Sequence, residues 1–122
     1  MSTGSKVKAR LQSYIDSLAT GDVDAVMAHY AENATCEDPV GGKLYRGVGE
    51  IRAFYEGAMQ GQKLRIEPMT PLVSTTTNYA AMGARVKTAR GVLHFVETQL
   101  YDDAGKIIEM KAYYDPADIE AL

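Results

Sequence analysis

The chain is poor in the residues that build disulfides and metal sites. Its 122 residues include one cysteine, Cys36, and two histidines, His29 and His94. A single cysteine cannot form an internal disulfide or a cysteine-based metal cluster, and neither histidine has a second ligand at metal spacing. We therefore expect no bound metal. We expect Cys36 to be a small core residue of a protein that resides in a reducing cytoplasm.

The chain also lacks a strong excess of positive charge and long apolar runs. Lysine and arginine number 13 against 16 acidic residues, which gives a net charge of −3. This balance argues against nucleic acid as a partner, and no apolar run approaches the ~18 residues of a membrane span. The polar residues 2–6 do not resemble a signal peptide. We expect one cytoplasmic domain over residues 1–122, without membrane contact.

Motifs for nucleophilic catalysis and nucleotide binding are absent as well. The sequence has no Gly-x-Ser-x-Gly segment, no phosphate-binding loop and no complete dinucleotide fingerprint. Gly47 and Gly49 lack the third glycine of that fingerprint, so they predict a loop. Acids and tyrosines that face the protein interior remain as the candidates for chemistry.

The first half of the chain carries apolar residues at helical spacing. Gly21 predicts the end of a first helix, and Asp22 can cap the next one. The three predicted apolar stripes are Val7, Leu11, Tyr14 and Leu18; Val23, Val26, Met27 and Tyr30; and Ile51, Phe54, Tyr55 and Ala58.

The second half of the chain is rich in β-forming and alternating segments. The predicted strands cover residues 63–68, 72–77, 79–87, 92–101 and 106–114. Residues 102–105 and 88–91 predict two hairpin turns. Helices followed by a meandering antiparallel sheet predict an α+β fold, with three N-terminal helices packed on one face of a curved, mostly antiparallel sheet.

One alternating segment, residues 34–39, ends in an acid and a proline. Because side chains alternate along a strand, Ala34, Cys36 and Asp38 lie on one side. If Ala34 and Cys36 face an apolar interior, the carboxylate of Asp38 faces it too, and burial then raises the pKa of Asp38. Asp38 is therefore a candidate general base.

Three tyrosines, Tyr14, Tyr30 and Tyr55, lie on the apolar stripes of three different predicted helices. Each ring can simply fill the core. Buried hydroxyls require hydrogen-bond partners, however, and three phenols that meet can bond one another and present one strong donor to a ligand. The sequence leaves both interpretations open.

Glu97 interrupts an apolar series on a predicted strand. It shares one side of residues 92–101 with Leu93 and Phe95, and neither side of that strand is clearly polar. Glu97 is either a carboxylate at the rim of the sheet or an acid that apolar surroundings keep neutral, so that it can donate a hydrogen bond.

The strand that follows predicts a cavity beside these acids. Its inward series is Ile108, Met110, Ala112 and Tyr114. The small side chain of Ala112 leaves room for a ligand within that series. The predicted pocket residues are Val40, Phe54, Met82, Met110, Ala112 and Tyr114.

These positions resemble the bacterial ketosteroid isomerases, the Δ5-3-ketosteroid isomerase group of the NTF2-like (SnoaL-like) superfamily. The resemblance covers nearly the whole chain and is most specific at Tyr14 and at residues 37–41, Glu-Asp-Pro-Val-Gly. Residues 21–24 and 51–55 are typical of the superfamily as a whole. The resemblance implies a cone-shaped NTF2-like fold and a homodimer formed through the outer face of the sheet.

The resemblance also implies roles for individual residues. Asp38 stands at the position of the general base, and Tyr14 and a protonated Glu97 stand at the oxyanion hole. Tyr30 and Tyr55 extend the hydrogen-bond network of Tyr14. The implied reaction moves the β,γ double bond of a 3-ketosteroid into conjugation through a dienolate, without a cofactor. The family usually has aspartic acid where Glu97 stands, and the extra methylene either keeps the donor at altered geometry or displaces it by about an ångström.

Other functions on the same fold remain open. A SnoaL-like cyclase, or another acid–base enzyme acting on an apolar carbonyl compound, would share the inward acid but would not need the three tyrosines. An epoxide hydrolase would need an arginine between two acids, and no arginine of the sequence is clearly inward. A non-catalytic NTF2-like small-molecule binder would leave a buried Asp38 without a purpose.

Overall fold

The computed structural model describes residues 3–121, which form three α-helices and seven β-strands. The helices are α1 (Thr3–Leu18), α2 (Val23–Met27) and α3 (Gly47–Met59). The strands are β1 (Tyr30–Glu37), β2 (Leu44–Arg46), β3 (Ile66–Pro68), β4 (Val73–Ser74), β5 (Tyr79–Thr88), β6 (Gly91–Tyr101) and β7 (Ile107–Tyr113). A short 3-10 helix covers Pro116–Asp118. The predicted α+β class is confirmed.

The strands form one sheet in the order β2-β1-β7-β6-β5-β3, and β4 also pairs with β5. β1 and β7 are parallel, whereas the other pairs are antiparallel. The helices cover one face of the sheet. On the other face, the cross-strand partners Val96 and Tyr113 are 48% and 44% exposed. Over residues 3–121, no helix combines the length and the apolar character needed to cross a membrane.

Apolar side chains at helical spacing hold the helices on the sheet. The stripe of α1 is at most 2% exposed from Val7 to Leu18, and α3 buries Ile51, Tyr55 and Met59 at steps of four residues. The carboxylate of Asp22 caps α2 by accepting a hydrogen bond from the backbone N–H of Asp24 at 2.9 Å. These contacts fix which helical side chains reach the sheet.

The sequence prediction was wrong for Tyr30 and for the segment before α3. Tyr30 begins β1 and does not lie on a helix, because α2 ends at Met27. Gly47 and Gly49, which we expected to form a loop, lie in the first turn of α3, and residues 44–46 before them form β2, in which Leu44 pairs with Glu37. A segment of three residues is too short for its alternation to predict a strand. β2 forms because its backbone pairs with that of β1.

A bulge between β6 and β7 changes which isoleucine faces the core. Tyr101 pairs with Ile107 whereas Leu100 pairs with Glu109, so the register shifts by one residue. Ile107 is therefore fully buried, and Ile108, which we expected to point inward, is only half-buried. After the bulge, Met110 and Ala112 face the core as predicted.

Both predicted hairpin turns are confirmed. The backbone N–H of Gly105 donates to the carbonyl oxygen of Asp102 at 3.0 Å, which closes the turn between β6 and β7. At the other turn, Thr88 pairs with Gly91 and leaves two residues between β5 and β6. β5, β6 and β7 thus follow one another as a meander.

Candidate active site

A cavity of about 170 Å³ lies between the helices and the inner face of the sheet. Its apolar lining residues are Leu18, Phe54, Ala58, Leu64, Ile66, Val86, Leu93, Phe95 and Ala112, and its polar ones are Tyr14, Asp38, Tyr55, Thr88, Glu97 and Tyr114. Ala58 is exposed and lies at the mouth. The cavity thus joins two acids and three phenols to an apolar wall.

Asp38 directly follows β1, in which Cys36 is fully buried. The backbone N–H of Val40 donates to the carbonyl oxygen of Ala112 at 2.8 Å and ties the segment after Asp38 to β7. The Oδ1 atom of Asp38 accepts a hydrogen bond from the hydroxyl of Tyr114 at 2.6 Å. Burial raises the pKa of Asp38 to about 6, and the Tyr114 hydrogen bond opposes this rise. The carboxylate is ionised at neutral pH, yet basic enough to accept a proton from a weak acid.

The three predicted tyrosines meet in one hydrogen-bonded network. The hydroxyl oxygens of Tyr14 and Tyr55 are 2.7 Å apart, and those of Tyr30 and Tyr55 are 2.5 Å apart. All three are buried: Tyr14 is 1% exposed, Tyr30 5% and Tyr55 2%. Burial raises the pKa of each phenol well above its ordinary value, so all three remain neutral and can donate hydrogen bonds.

Glu97 lies on β6, opposite Ala112 on β7 and Met82 on β5. It is 3% exposed, so it does not lie at the rim of the sheet. Its Oε2 atom accepts a hydrogen bond from Nε2 of Gln99 at 2.7 Å. Burial raises the pKa of Glu97 to about 8; the charge of Asp38 raises it further, while Gln99 lowers it. Glu97 is therefore protonated at neutral pH and can donate a hydrogen bond.

Three of the six predicted pocket residues line the cavity, namely Phe54, Ala112 and Tyr114. Val40 does not, and this prediction was wrong. The chain turns at residues 38–42 immediately after β1, so Val40 no longer follows the alternation of the strand and its side chain is 37% exposed.

Met82 and Met110 do not line the cavity either, although both are 1% exposed. Met110 pairs with Gln99, one row deeper in the sheet than the pair of Ala112 with Glu97. Met82 lies on β5 in the row of Glu97, and α1 packs against this strand. Both methionines fill the core beside the cavity, and the prediction that they line the pocket was wrong.

The apolar wall was largely missed by the sequence analysis. Ile66 on β3, Val86 on β5 and Leu93 on β6 form one cross-strand row, and Phe95 lies between this row and Glu97. The alternation of residues 92–101 places Leu93 and Phe95 on the same side of the strand as Glu97, and this was the one sequence signal that they line the cavity. Nothing in the sequence shows that β3 pairs with β5 beside them.

Within residues 3–121, no three His, Cys, Asp or Glu side chains come together in a way that could hold a metal ion. The two acids of the cavity are accompanied by phenols and an amide. The side chains present can therefore accept, donate and hold protons.

Known proteins resemble the chain along most of its length. Residues 11–110 match the SnoaL-like domain. The chain belongs to the SnoaL-like family. A steroid Delta-isomerase from Nocardioides simplex is 37% identical over 118 residues, which cover 93% of the chain and 94% of that protein. The predicted family is confirmed, and so is the prediction that this SnoaL-like chain is an isomerase.

Solved structures share the fold of the chain. One is SalBIII, an epoxide hydrolase/cyclase-like enzyme described as having a role in pyran ring formation in the polyether salinomycin. It is 25% identical, covers 97% of each chain and superimposes with a TM-score of 0.87. The SnoaL-like fold thus carries more than one chemistry, and the side chains in the cavity must decide between them.

Proposed function

We propose that the protein is a steroid Δ-isomerase that moves the β,γ double bond of a 3-ketosteroid into conjugation with the carbonyl group. One observation carries this proposal: Asp38 and Glu97 share an apolar cavity, with a pKa of about 6 for the first and about 8 for the second. At neutral pH one acid is then a base and the other is a hydrogen-bond donor.

Asp38 acts as the general base. Its carboxylate removes a proton from the carbon between the carbonyl group and the double bond, and the electron pair of that C–H bond moves toward the carbonyl oxygen. The product of this step is a dienolate and a neutral Asp38. Asp38 then returns the proton to the carbon two positions along, which restores the carboxylate and leaves a conjugated ketone. No other reactant is consumed.

Tyr14 and protonated Glu97 form the oxyanion hole. The negative charge of the dienolate collects on the carbonyl oxygen, where neutral donors in a water-poor cavity stabilise it strongly. Either hydroxyl of each tyrosine pair can donate. In the proposed mechanism Tyr30 donates to Tyr55 and Tyr55 donates to Tyr14, which leaves the proton of Tyr14 free for the substrate. Tyr14 and Glu97 are thus in place before the reaction, and they stabilise the negative charge without having to reorient during it.

The shape of the cavity suits a flat apolar substrate. From Glu97, the lining continues along β6 to Phe95 and Leu93, a span of about 13 Å at the rise of an antiparallel strand. Val86 and Ile66 extend the Leu93 end sideways. A carbonyl group can therefore reach the two donors while fused hydrocarbon rings lie against the apolar wall.

An absorbance assay tests the proposal, because conjugation of the ketone produces a strong new ultraviolet band. We expect the wild type to convert a β,γ-unsaturated 3-ketosteroid, and Asp38→Asn to lose about 10²–10⁴-fold in kcat, on the scale of a general base. Circular dichroism controls for folding of the variant. Near-normal turnover by a folded Asp38→Asn protein would refute the assignment of the base. Steroid binding without turnover by the wild type would favour the non-catalytic binder.

Epoxide opening, the reaction that the name of the solved relative SalBIII suggests, is a weaker candidate for this cavity. Such a reaction needs a strongly polarised epoxide oxygen and an activated water. Among residues 3–121, no arginine lines the cavity, and the partner of Asp38 is the phenol of Tyr114. The three phenols around an apolar chamber suit an enolate better than an attacking water.

We also propose a homodimer formed through the face of the sheet that the helices leave uncovered. Val96 and Tyr113 lie next to each other on that face, and Tyr79 is 41% exposed on β5. Large apolar side chains that are adjacent and exposed are typical of interfaces. Sedimentation of the wild type and of Val96→Asp tests this, since a wild type that stays monomeric at high concentration would refute it.

A further inference from the structure

Three side chains of β6 form a buried hydrogen-bonded chain that ends at the cavity. Tyr101, Gln99 and Glu97 alternate along the strand, all face the helices, and are 2%, 0% and 3% exposed. The hydroxyl of Tyr101 donates to Oε1 of Gln99 at 2.5 Å, and Nε2 of Gln99 donates to Oε2 of Glu97 at 2.7 Å. Only Glu97 of the three lines the cavity.

The direction of these hydrogen bonds decides where the proton of Glu97 lies. An oxygen that accepts the Gln99 amide serves as the carbonyl oxygen of the acid, so the proton resides on Oε1. The opposite orientation of the amide is also chemically consistent. Glu97 would then donate to Oε1 of Gln99, the amide nitrogen would donate to Tyr101, and the acid would have no proton to offer a ligand.

We propose that Gln99 and Tyr101 are positioning residues that aim the proton of Glu97 into the cavity. The inference rests on the proposed function, since an oxyanion hole needs Glu97 as a donor. In the structure the hydroxyl of Tyr101 donates to Oε1 of Gln99, and this hydrogen bond favours the orientation in which the amide nitrogen faces Glu97. Neither residue lines the cavity, so both act only through Glu97.

Charged groups lie near both ends of this hydrogen-bonded chain, Arg10 beside Tyr101 and Asp38 beside Glu97. The guanidinium carbon of Arg10 lies 6.0 Å from the centre of the Tyr101 ring, at the end of the chain that is remote from the cavity. The titratable groups that interact electrostatically with Glu97 come from α1, β1, α3, β6 and the segment after β1. They are Tyr14, Tyr30, Cys36, Asp38, Tyr55 and Tyr101.

Kinetics of Tyr101→Phe and Gln99→Met test the proposal, with Tyr45→Phe as the matched control. The ring of Tyr45 packs on Phe54 at 5.0 Å, and its hydroxyl is not part of the hydrogen-bonded chain of Tyr101, Gln99 and Glu97. We expect Tyr101→Phe and Gln99→Met to lower kcat about 10-fold or more with KM nearly unchanged, since the lost interaction acts in the transition state. Tyr45→Phe should keep the wild-type kcat.

The titration of Glu97 separates positioning from a general loosening of the fold. The hydrogen bond from Gln99 favours the ionised form of Glu97, so its loss or reversal raises the pKa of Glu97. A loosened cavity would admit water and lower that pKa instead. The infrared carbonyl band of protonated Glu97, identified by its disappearance in Glu97→Gln, reports this pKa without any substrate. It therefore tests the chain even if the wild type does not isomerise steroids.

A higher pKa of Glu97 in Tyr101→Phe and Gln99→Met, together with the fall in kcat, would support the proposal. An unchanged pKa with wild-type kcat in both variants would overturn it. A lowered pKa accompanied by a lower melting temperature would also overturn it, because Tyr101 and Gln99 would then only stabilise the fold. A wild type that lacks isomerase activity would refute the proposed function, and the infrared titration would still decide the orientation of Glu97.

Discussion

At the scale of single residues, Asp38 is subject to two opposing influences. Burial disfavours its charged form, whereas the hydroxyl of Tyr114 donates to Oδ1 and favours it. Burial is the larger effect, which leaves the pKa at about 6. A base in this range is ionised at neutral pH and still accepts a proton readily, which is the compromise that general base catalysis requires.

Tyr114→Phe should raise the pKa of Asp38 further. The variant keeps the ring in the cavity wall and removes the hydroxyl that donates to Oδ1. A hydrogen bond to a charged group contributes about 1.5 kcal/mol, so we expect the acidic limb of the kcat/KM profile to move up by roughly one pH unit. A profile that coincides with that of the wild type would show that this hydrogen bond does not act on the base.

Tyr14→Phe should slow the chemistry without weakening substrate binding to the same extent. The phenol of Tyr14 is neutral, buried and supported by Tyr55 at 2.7 Å. Loss of one oxyanion donor typically lowers kcat about 10²–10³-fold, and steady-state kinetics measures this. Tyr45→Phe, which removes a hydroxyl outside the network, is the control. If kcat of Tyr14→Phe stays at the wild-type level, Tyr14 only fills the core.

At the scale of elements, the end of the chain closes on the hairpin that bounds the cavity. Val92 pairs with Glu120, and the backbone N–H of each donates to the carbonyl oxygen of the other, at 2.8 Å and 2.9 Å. Gly91 has a φ of +141° where this segment approaches, and a Cβ atom there would lie 2.1 Å from the carbonyl oxygen of Glu120. The hairpin therefore depends on glycine at this position.

Gly91→Ala should lower the free energy of unfolding by about 1–3 kcal/mol, because both the backbone angle and the close approach oppose a side chain. Urea denaturation measures this. Gly57→Ala is the matched control, since Gly57 lies in α3 with no atom within 4 Å of an added Cβ. It should stabilise the protein by about 0.5–1 kcal/mol. Equal effects of the two substitutions would contradict this account of the hairpin.

Elements with long periodic patterns could be predicted from the sequence, and those that depend on a partner could not. The stripe of α1 and the alternation of β6 revealed which face of each is buried. Tyr30 was assigned to a helix because its spacing from Met27 also suits one. The bulge that buries Ile107 in place of Ile108 depends on how β6 and β7 pair. Because pairing involves two strands, the pattern of one strand does not predict it.

The candidate site shows the same division. Asp38 and Glu97 stood out because each is an acid within an apolar series, which local sequence reveals. The hydrogen bond between Tyr114 and Asp38 joins residues 76 positions apart, and no pattern near either residue signals it. The link from Gln99 to Glu97 spans only two positions, so the alternation of β6 was a usable signal for it.

At the scale of the whole molecule, the cavity exists only because the first half of the chain covers the second. Tyr14 and Tyr55 come from helices, whereas Glu97 and Ala112 come from strands, and all line one chamber with Asp38. Burial is the largest cause of the raised pKa at Asp38 and at Glu97. The fold as a whole thus sets the protonation of both acids.

The pH dependence of kcat/KM tests this account most directly. Asp38 must be ionised and Glu97 protonated, so we expect a bell-shaped profile with limbs near pH 6 and pH 8, which belong to the interacting pair as a whole. Glu97→Gln should remove the alkaline limb and keep the acidic one. An acidic limb at the ordinary aspartate pKa of about 4, with no fall in rate up to pH ~10, would contradict the account.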